Sequence, residues 1–225
     1  MEIFNATNLL YIWGGFVKTI EISALSIFFS LIFGTVLALV KSYAPRPFRI
    51  LVSAYIELFR CTPNLLWILF IYFTVQGLDI VISTIAFTLF TSAVMAEIVR
   101  GGLNSIPRGQ FEAAQSQGFT RAQAYWYIVL PQTFKIILPP LCNQALNLVK
   151  NTSVLALVAG GDLMYNADNF VSTYGYLQGY ILCCFMYFII CFPLAILVQY
   201  LERRSKQRPR AKVIPGITPD PAKEA

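Results

Sequence analysis

Histidine is absent from the chain, which excludes His-based catalytic triads, zincin-type metal sites and His proton relays. Charge is scarce. Only 12% of the 225 residues are Asp, Glu, Lys or Arg, against about 25% in a soluble domain. With 57% hydrophobic residues and a mean hydropathy of +0.63, that shortage excludes a disordered chain and an ordinary water-soluble enzyme. The five cysteines (Cys61, Cys142, Cys183, Cys184 and Cys191) lie in or beside apolar runs and lack metal-ligand spacing. They read as small buried hydrophobes, so neither a disulfide scaffold nor a metal site is expected. No basic region precedes the first apolar residues, and Glu2 stands where one would begin; no cleavable signal peptide is read.

What remains is a set of long uncharged runs. About 20 apolar residues cross roughly 30 Å of hydrocarbon, and five runs approach that length. The spans are expected over about 19–40, 51–76, 80–99, 134–158 and 177–200. This makes an all-α membrane protein, with an extracytoplasmic segment over 1–18 and a transmembrane body over 19–200. Basic residues then alternate by loop. Lys41, Arg46 and Arg49 follow the first span, and Arg100, Arg108 and Arg121 follow the third. The connections after spans two and four carry only Asp79, Asp162 and Asp168. By the positive-inside rule the amino terminus lies outside and the carboxyl terminus in the cytoplasm. Residues 201–225 hold seven Lys/Arg and three Asp/Glu. This basic, proline-containing tail reads as disordered. Its charge reports sidedness, and no nucleic-acid partner is expected.

The cytoplasmic loop over about 100–133 is long for a compact membrane protein, and such loops are usually functional. Gln110 to Ala124 is rich in Ala, Gln and Glu, with Gly118 in the middle and Thr120 in position to cap a helix over the residues after it. The pattern predicts a short helix, a glycine turn and a second helix. It reads as a solvated connector or as a docking element for a cytoplasmic partner.

Glu112-Ala113-Ala114, then Gly118, Ile128, Leu130 and Pro131 at their spacing, resemble the EAA loop of ATP-binding-cassette (ABC) importer permeases. Glu97-Ile98-Val99-Arg100-Gly101-Gly102, Ser105-Ile106-Pro107-Arg108-Gly109-Gln110, Phe59-Arg60-Cys61-Thr62-Pro63, Leu138-Pro139-Pro140-Leu141 and Lys150-Asn151-Thr152-Ser153-Val154 resemble the polar amino-acid uptake branch. That branch includes histidine-, glutamine-, glutamate-, arginine- and cystine-type permeases. The likeness covers roughly residues 15–205. Cys61 stands where glycine is usual and Asn151 where aspartate is common, so the substrate is not copied from a relative.

The resemblance implies a type I ABC importer permease fold with five transmembrane helices and a cytoplasmic coupling helix. It also implies a bacterial cytoplasmic (inner) membrane location, two ATPase subunits, a second permease chain (the same or homologous), an extracytoplasmic solute-binding protein and a polar amino-acid substrate. ATP and Mg are expected on the ATPase. This chain carries no cofactor of its own, no catalytic residue and no phosphate-binding Gly-x-x-x-x-Gly-Lys-Ser/Thr loop. Glu112 would then offer a carboxylate to the ATPase, Ala113 and Ala114 close approach, and Gly118 the sharp turn. Capping of its own helix is the other role open to Glu112.

Polar groups inside a span usually face a cavity or a partner helix. Asn143, Asn147, Lys150 and Asn151 fall on one helical face, with Gln144, Thr152 and Ser153 beside them. They read as a stripe lining a translocation path, or as interhelical hydrogen-bonding groups. Glu57 with Arg60, and Glu97 with Arg100, are each spaced i, i+3 near cytoplasmic helix ends. They read as interfacial ion pairs, with gating as the alternative. A gradient-driven transporter or channel is the competing function.

Overall fold

The first helix starts well before Thr19. In the computed structural model, which describes residues 5–174 and 176–206, α1 runs over Ala6–Tyr43. The segment expected to precede the first span is therefore largely helical. Lys18 and Glu21 do not stop the helix, because its backbone hydrogen bonds are internal and Lys18 reaches Asp79 at 3.6 Å. At 1.5 Å per residue, these 38 residues are about 57 Å long, well beyond the hydrocarbon thickness.

The expected second span over 51–76 is not one helix. It divides into α2 (Arg46–Cys61) and α3 (Asn64–Thr74), whose axes bend by 106°. Pro63 is the cause. It brings no N–H, and it holds Thr62 extended at ψ 148°. Thr62 fixes the corner, donating from Oγ1 to the Leu58 carbonyl at 2.5 Å and accepting from Trp67 Nε1 at 2.6 Å.

α4 covers Asp79–Asn104 and lies alongside α1, tied at one end by Lys18–Asp79 and at the other by Lys41–Glu97 at 2.9 Å. The buried face of α1 carries a row of small residues, Thr19, Ser23, Ser26, Ser30, Gly34 and Ala38, beside Ile12, Phe16, Ile22 and Leu37. Small residues let helix backbones approach closely where lipid offers no hydrophobic drive. Gly34 shows how close. A Cβ there would lie 2.8 Å from the Ser92 carbonyl oxygen and 2.9 Å from Met95 Cβ.

Beyond α4 come α5 (Arg108–Ser116), α6 (Arg121–Ala124), a π-helical turn (Tyr125–Val129), α7 (Leu130–Asn151) and a 3-10 turn (Thr152–Val158). The last four run on without a break, so the expected loop over 100–133 is mostly helix. Its helix-free connections are only 105–107 and 117–120. The wide π turn sits just before Pro131, with the Leu130 N–H bonding back to the Tyr125 carbonyl. A loosened turn relieves the clash between a proline ring and the preceding turn. α8 (Leu163–Tyr174) and α9 (Tyr176–Lys206) complete the described chain.

Three apolar clusters fill the body. One joins α1, α2, α4 and α7 around Ile56, Ala93, Met95 and Ala96. A second gathers Ile22, Ile68, Phe87, Leu148 and Leu155. The third ties α1 to α8 and α9 through Ile12, Leu163, Ala167 and Cys183. Among the described residues, α1, α4 and α9 are long and apolar enough to cross a membrane alone, and α2–α3 makes a fourth crossing if it is one broken span. α7 falls short by apolarity, because it carries the polar stripe as well as Pro139 and Pro140. Residues 201–206 of the expected disordered tail continue α9 as helix, and those beyond 206 lie outside the described residues.

Candidate coupling and translocation sites

Gly118 ends α5 in the left-handed region, at φ +81°. The Gly118 N–H bonds to the Gln115 carbonyl at 2.9 Å, and the Phe119 N–H to the Ala114 carbonyl at 3.1 Å. This pair of bonds is a Schellman motif, whose C′ position favours glycine. No heavy atom lies within 4 Å of a Cβ built at Gly118, so backbone conformation, not crowding by neighbours, is what demands glycine. Thr120 then opens the next helix with a full capping box, accepting from Gln123 N while its own N–H bonds to Gln123 Oε1.

Within this helix–turn–helix, Ala114 is 3% exposed, whereas Glu112 and Ala113 lie on the outer face. Glu112 sits in the middle of α5, too far from its start to cap it. Its side chain has no partner among the described residues; only its carbonyl is engaged, accepting from Ser116 Oγ at 2.9 Å. Phe111 packs edge-on against Tyr125, and Tyr125 meets Tyr43 at the end of α1 at 3.3 Å between hydroxyls. The element is thus anchored on α1 and α7 with an acid presented outward. Of the remaining motif residues, Ile128 is half-buried and Leu130 and Pro131 are exposed.

The two expected ion pairs part company. Glu97 takes Arg100 Nη2 at 2.7 Å and also Lys41 Nζ at 2.9 Å, making a three-membered cluster between α1 and α4. Glu57 and Arg60 form no ion pair. Both are exposed, and among the described residues Glu57 accepts only from Cys61 Sγ, at 3.7 Å. Water screens an exposed i, i+3 pair so well that nothing holds the two long side chains together.

Along the polar stripe, Asn143 and Lys150 are exposed, while Asn147, Asn151 and Ser153 are half-buried. Among the described residues, no side-chain partner reaches Asn143, Asn147 or Asn151, so interhelical hydrogen bonding does not account for them within this chain. Thr152 is different. It is buried, donates to the Val149 carbonyl at 2.8 Å and lies 3.4 Å from Tyr187 Oη on α9. Lys150 and Ser153 line a cavity of about 530 Å³ with Met164, Tyr180, Cys183, Cys184 and Tyr187.

Asp162, at the start of α8, is a polar group that spacing and periodicity do not single out. It is fully buried. Its carboxylate accepts from the N–H groups of Met164 and Tyr165 at 3.1 and 3.3 Å, and from Tyr187 Oη at 3.4 Å. Burial pushes its pKa up to about 6, against the lowering effect of those N–H donors. The Gly160-Gly161-Asp162 run ahead of an apolar stretch was the available signal, since Asp is a preferred N-cap.

Residues 30–207 match the family described as binding-protein-dependent transport system inner membrane component. The chain belongs to this family. The permease is 41% identical over 196 residues to the probable glutamine ABC transporter permease protein GlnM of Bacillus subtilis, covering 84% of this chain and 91% of that one. It is 32% identical to the L-cystine transport system permease protein TcyB of the same organism, with 85% of each covered. It is 30% identical to the glutamate/aspartate import permease protein GltK of Escherichia coli O157:H7, covering 88% and 95%. A crystal structure of an amino acid ABC transporter with histidines superimposes with a TM-score of 0.81 at 32% identity, covering 87% of this chain and 94% of that chain. The permease is therefore an all-helical, multi-pass transport component with the ABC importer permease fold.

Proposed function

We propose that this permease is the membrane-spanning subunit of an ATP-driven importer for a polar amino acid. The observation that carries the proposal is α5, a short helix held through Phe111 against Tyr125 that presents on its outer face a carboxylate, Glu112, with no partner among the described residues. The solutes for which the relatives are named support the solute class. A rigid helix on a glycine turn suits transmission of rigid-body motion from an ATPase, with Glu112 offered to a basic group there. ATP and Mg belong to that ATPase, and this chain supplies no catalytic group.

Lys41, Arg46 and Arg49 share one cleft, Lys41 and Arg100 share Glu97, and Arg108 and Arg121 flank α5; by the positive-inside rule these basic residues support a cytoplasmic position for the α5 end. The amino terminus then lies outside and the carboxyl terminus inside. Taking α2–α3 as one broken span and α7 as another brings the crossings to five. The solute-binding protein would dock at the opposite end. A second permease subunit, of this chain or a homologue, would close the path along the stripe of Asn143, Asn147, Lys150, Asn151 and Ser153.

Two outcomes check this reading. With the five native cysteines replaced by alanine, Ala113→Cys is expected to cross-link to the ATPase subunit, whereas Leu177→Cys at the opposite end is not. Equal cross-linking at both positions would remove α5 from the docking surface. Lys150→Met is expected to cut amino-acid uptake about tenfold or more, the scale of one lost hydrogen bond to a charged group. Uptake unchanged by that substitution would take Lys150 off the path.

A further inference from the structure

The corner between α1 and α2 holds basic residues that neither coupling nor translocation uses. Lys41 on α1 and Arg46, Arg49, Ile50 and Ser53 on α2 line an open cleft of about 440 Å³. Arg46 and Arg49 are exposed, and among the described residues no acid pairs with either. Lys41 donates to Glu97, but Glu97 is already held by Arg100, so that cluster keeps one net positive charge. On α2 the nearest acid, Glu57, lies a full turn beyond Ser53. The cleft therefore has an uncompensated excess of cations.

The surroundings of the cleft decide what kind of anion fits. Arg46, Arg49, Ser53, Glu57 and Arg60 fall on one face of α2, at helical steps of three and four. Next to that face lies Ile50, 59% exposed, and farther round the helix on the same side Leu51, 67% exposed. Arginines in the first turns of α2 with a bare apolar side chain beside them have the makeup of a span end at the headgroup level of a membrane. A soluble anion would need the cations alone. A phospholipid would use both surfaces, its phosphate on the arginines and an acyl chain along Ile50 and the apolar flank that continues to Leu51.

We infer that Lys41, Arg46, Arg49 and Ser53 form a binding site for the phosphate headgroup of an anionic phospholipid of the cytoplasmic leaflet. Arginine suits the role, because its planar guanidinium bonds phosphate in two-point fashion. The site would fix α2 against the bilayer and hold the corner from which the Lys41–Glu97 tie departs. It is independent of which solute the permease carries.

The test uses the full-length chain purified in a mild nonionic detergent and loaded with phosphatidylglycerol or phosphatidylcholine of the same acyl chains. Bound lipid is counted by native mass spectrometry. Preferential retention of phosphatidylglycerol is expected. Arg46→Gln with Arg49→Gln should lower its affinity about thirtyfold, as two lost cations at an anionic surface imply. Arg46→Lys with Arg49→Lys should keep most of the preference and shows that the corner still folds. Arg208→Gln with Arg210→Gln removes the same charge from the tail and should change little. An equal loss from the tail variant would reduce the effect to net charge and overturn the site. So would equal retention of both lipids, or no loss in the Arg46/Arg49 glutamine variant. Displacement of phosphatidylglycerol by millimolar inorganic phosphate, with phosphate binding lost in the same variant, would make it a soluble-anion site and overturn the lipid assignment.

Discussion

Glu112→Ala is expected to lower ATP-driven uptake by about ten- to hundredfold while leaving the thermal stability of the purified permease within about a degree of the native value. The uptake loss follows from removing one hydrogen bond between charged groups across an interface, about 1.5–3 kcal/mol. The unchanged stability follows from position. Glu112 is exposed in the middle of α5 and its side chain contacts no partner within the described chain, and such substitutions move stability by about 0.5 kcal/mol or less. Gly118→Val should give a related phenotype by a different route. The left-handed φ of +81° costs a branched residue about 1–2 kcal/mol or more, so the turn would reset and α5 would swing away from its dock. Gly118→Asn, which tolerates that conformation, should retain more uptake than the valine variant. A large stability loss in Glu112→Ala would mean that the carboxylate serves this chain and not a partner.

Glu97→Gln is expected to have the largest effect on stability. One carboxylate, 17% exposed, holds two cations from different places: Lys41 on α1 and Arg100 one turn away on α4. Neutralising it leaves both cations facing each other without a counter-ion. Breaking a buried ion pair by removing one partner costs about 3–5 kcal/mol. Here about 2–3 kcal/mol is expected, because Arg100 is 35% exposed and water screens part of the cluster. In a chain of this size that corresponds to a fall of about 4–12 °C in melting temperature. Lys41→Met should cost less, since the Arg100–Glu97 pair survives. Glu57→Gln should cost nothing measurable, as Glu57 has no ion pair to lose. Comparable melting temperatures for Glu97→Gln and Glu57→Gln would contradict the structure of the cluster.

The contrast between those two acids marks how far sequence spacing reaches. Glu57/Arg60 and Glu97/Arg100 are the same i, i+3 pattern, and only one forms. The difference is Lys41, which lies 56 positions from Glu97 in the chain and becomes its neighbour only when α1 and α4 pack side by side. Local motifs are readable for the opposite reason. The Thr120–Gln123 capping box and the glycine turn at Gly118 depend on residues within a few positions, so their spacing encodes their geometry.

The second span departs from expectation because an uncharged run between Cys61 and Leu78 hides a corner. Pro63 is visible in the sequence, but a proline near a helix start permits either a first turn or a break. Thr62 and Trp67, which bond across the corner, decide for the break. The amino-terminal limit of α1 differs because Lys18 and Glu21 look like stops in a hydropathy profile. In the fold Lys18 belongs to α1 and answers Asp79. The polar stripe on α7 is legible as a face, but its division is not. Thr152 turns toward Tyr187 and is spent on packing, while Lys150 and Ser153 open to the cavity.

ATP hydrolysed on a partner subunit should drive a polar amino acid through this chain. This coupling is tested most directly in proteoliposomes holding the permease with its ATPase and supplied outside with the solute-binding protein. With ATP and Mg inside and labelled glutamine, cystine or glutamate outside, at least one solute should accumulate. That accumulation should vanish when ATP is withheld or when the Glu112→Ala permease is used, and collapsing ion gradients should leave it intact. Accumulation that persists without ATP and disappears with a sodium or proton gradient would contradict the account and make the chain a gradient-driven transporter.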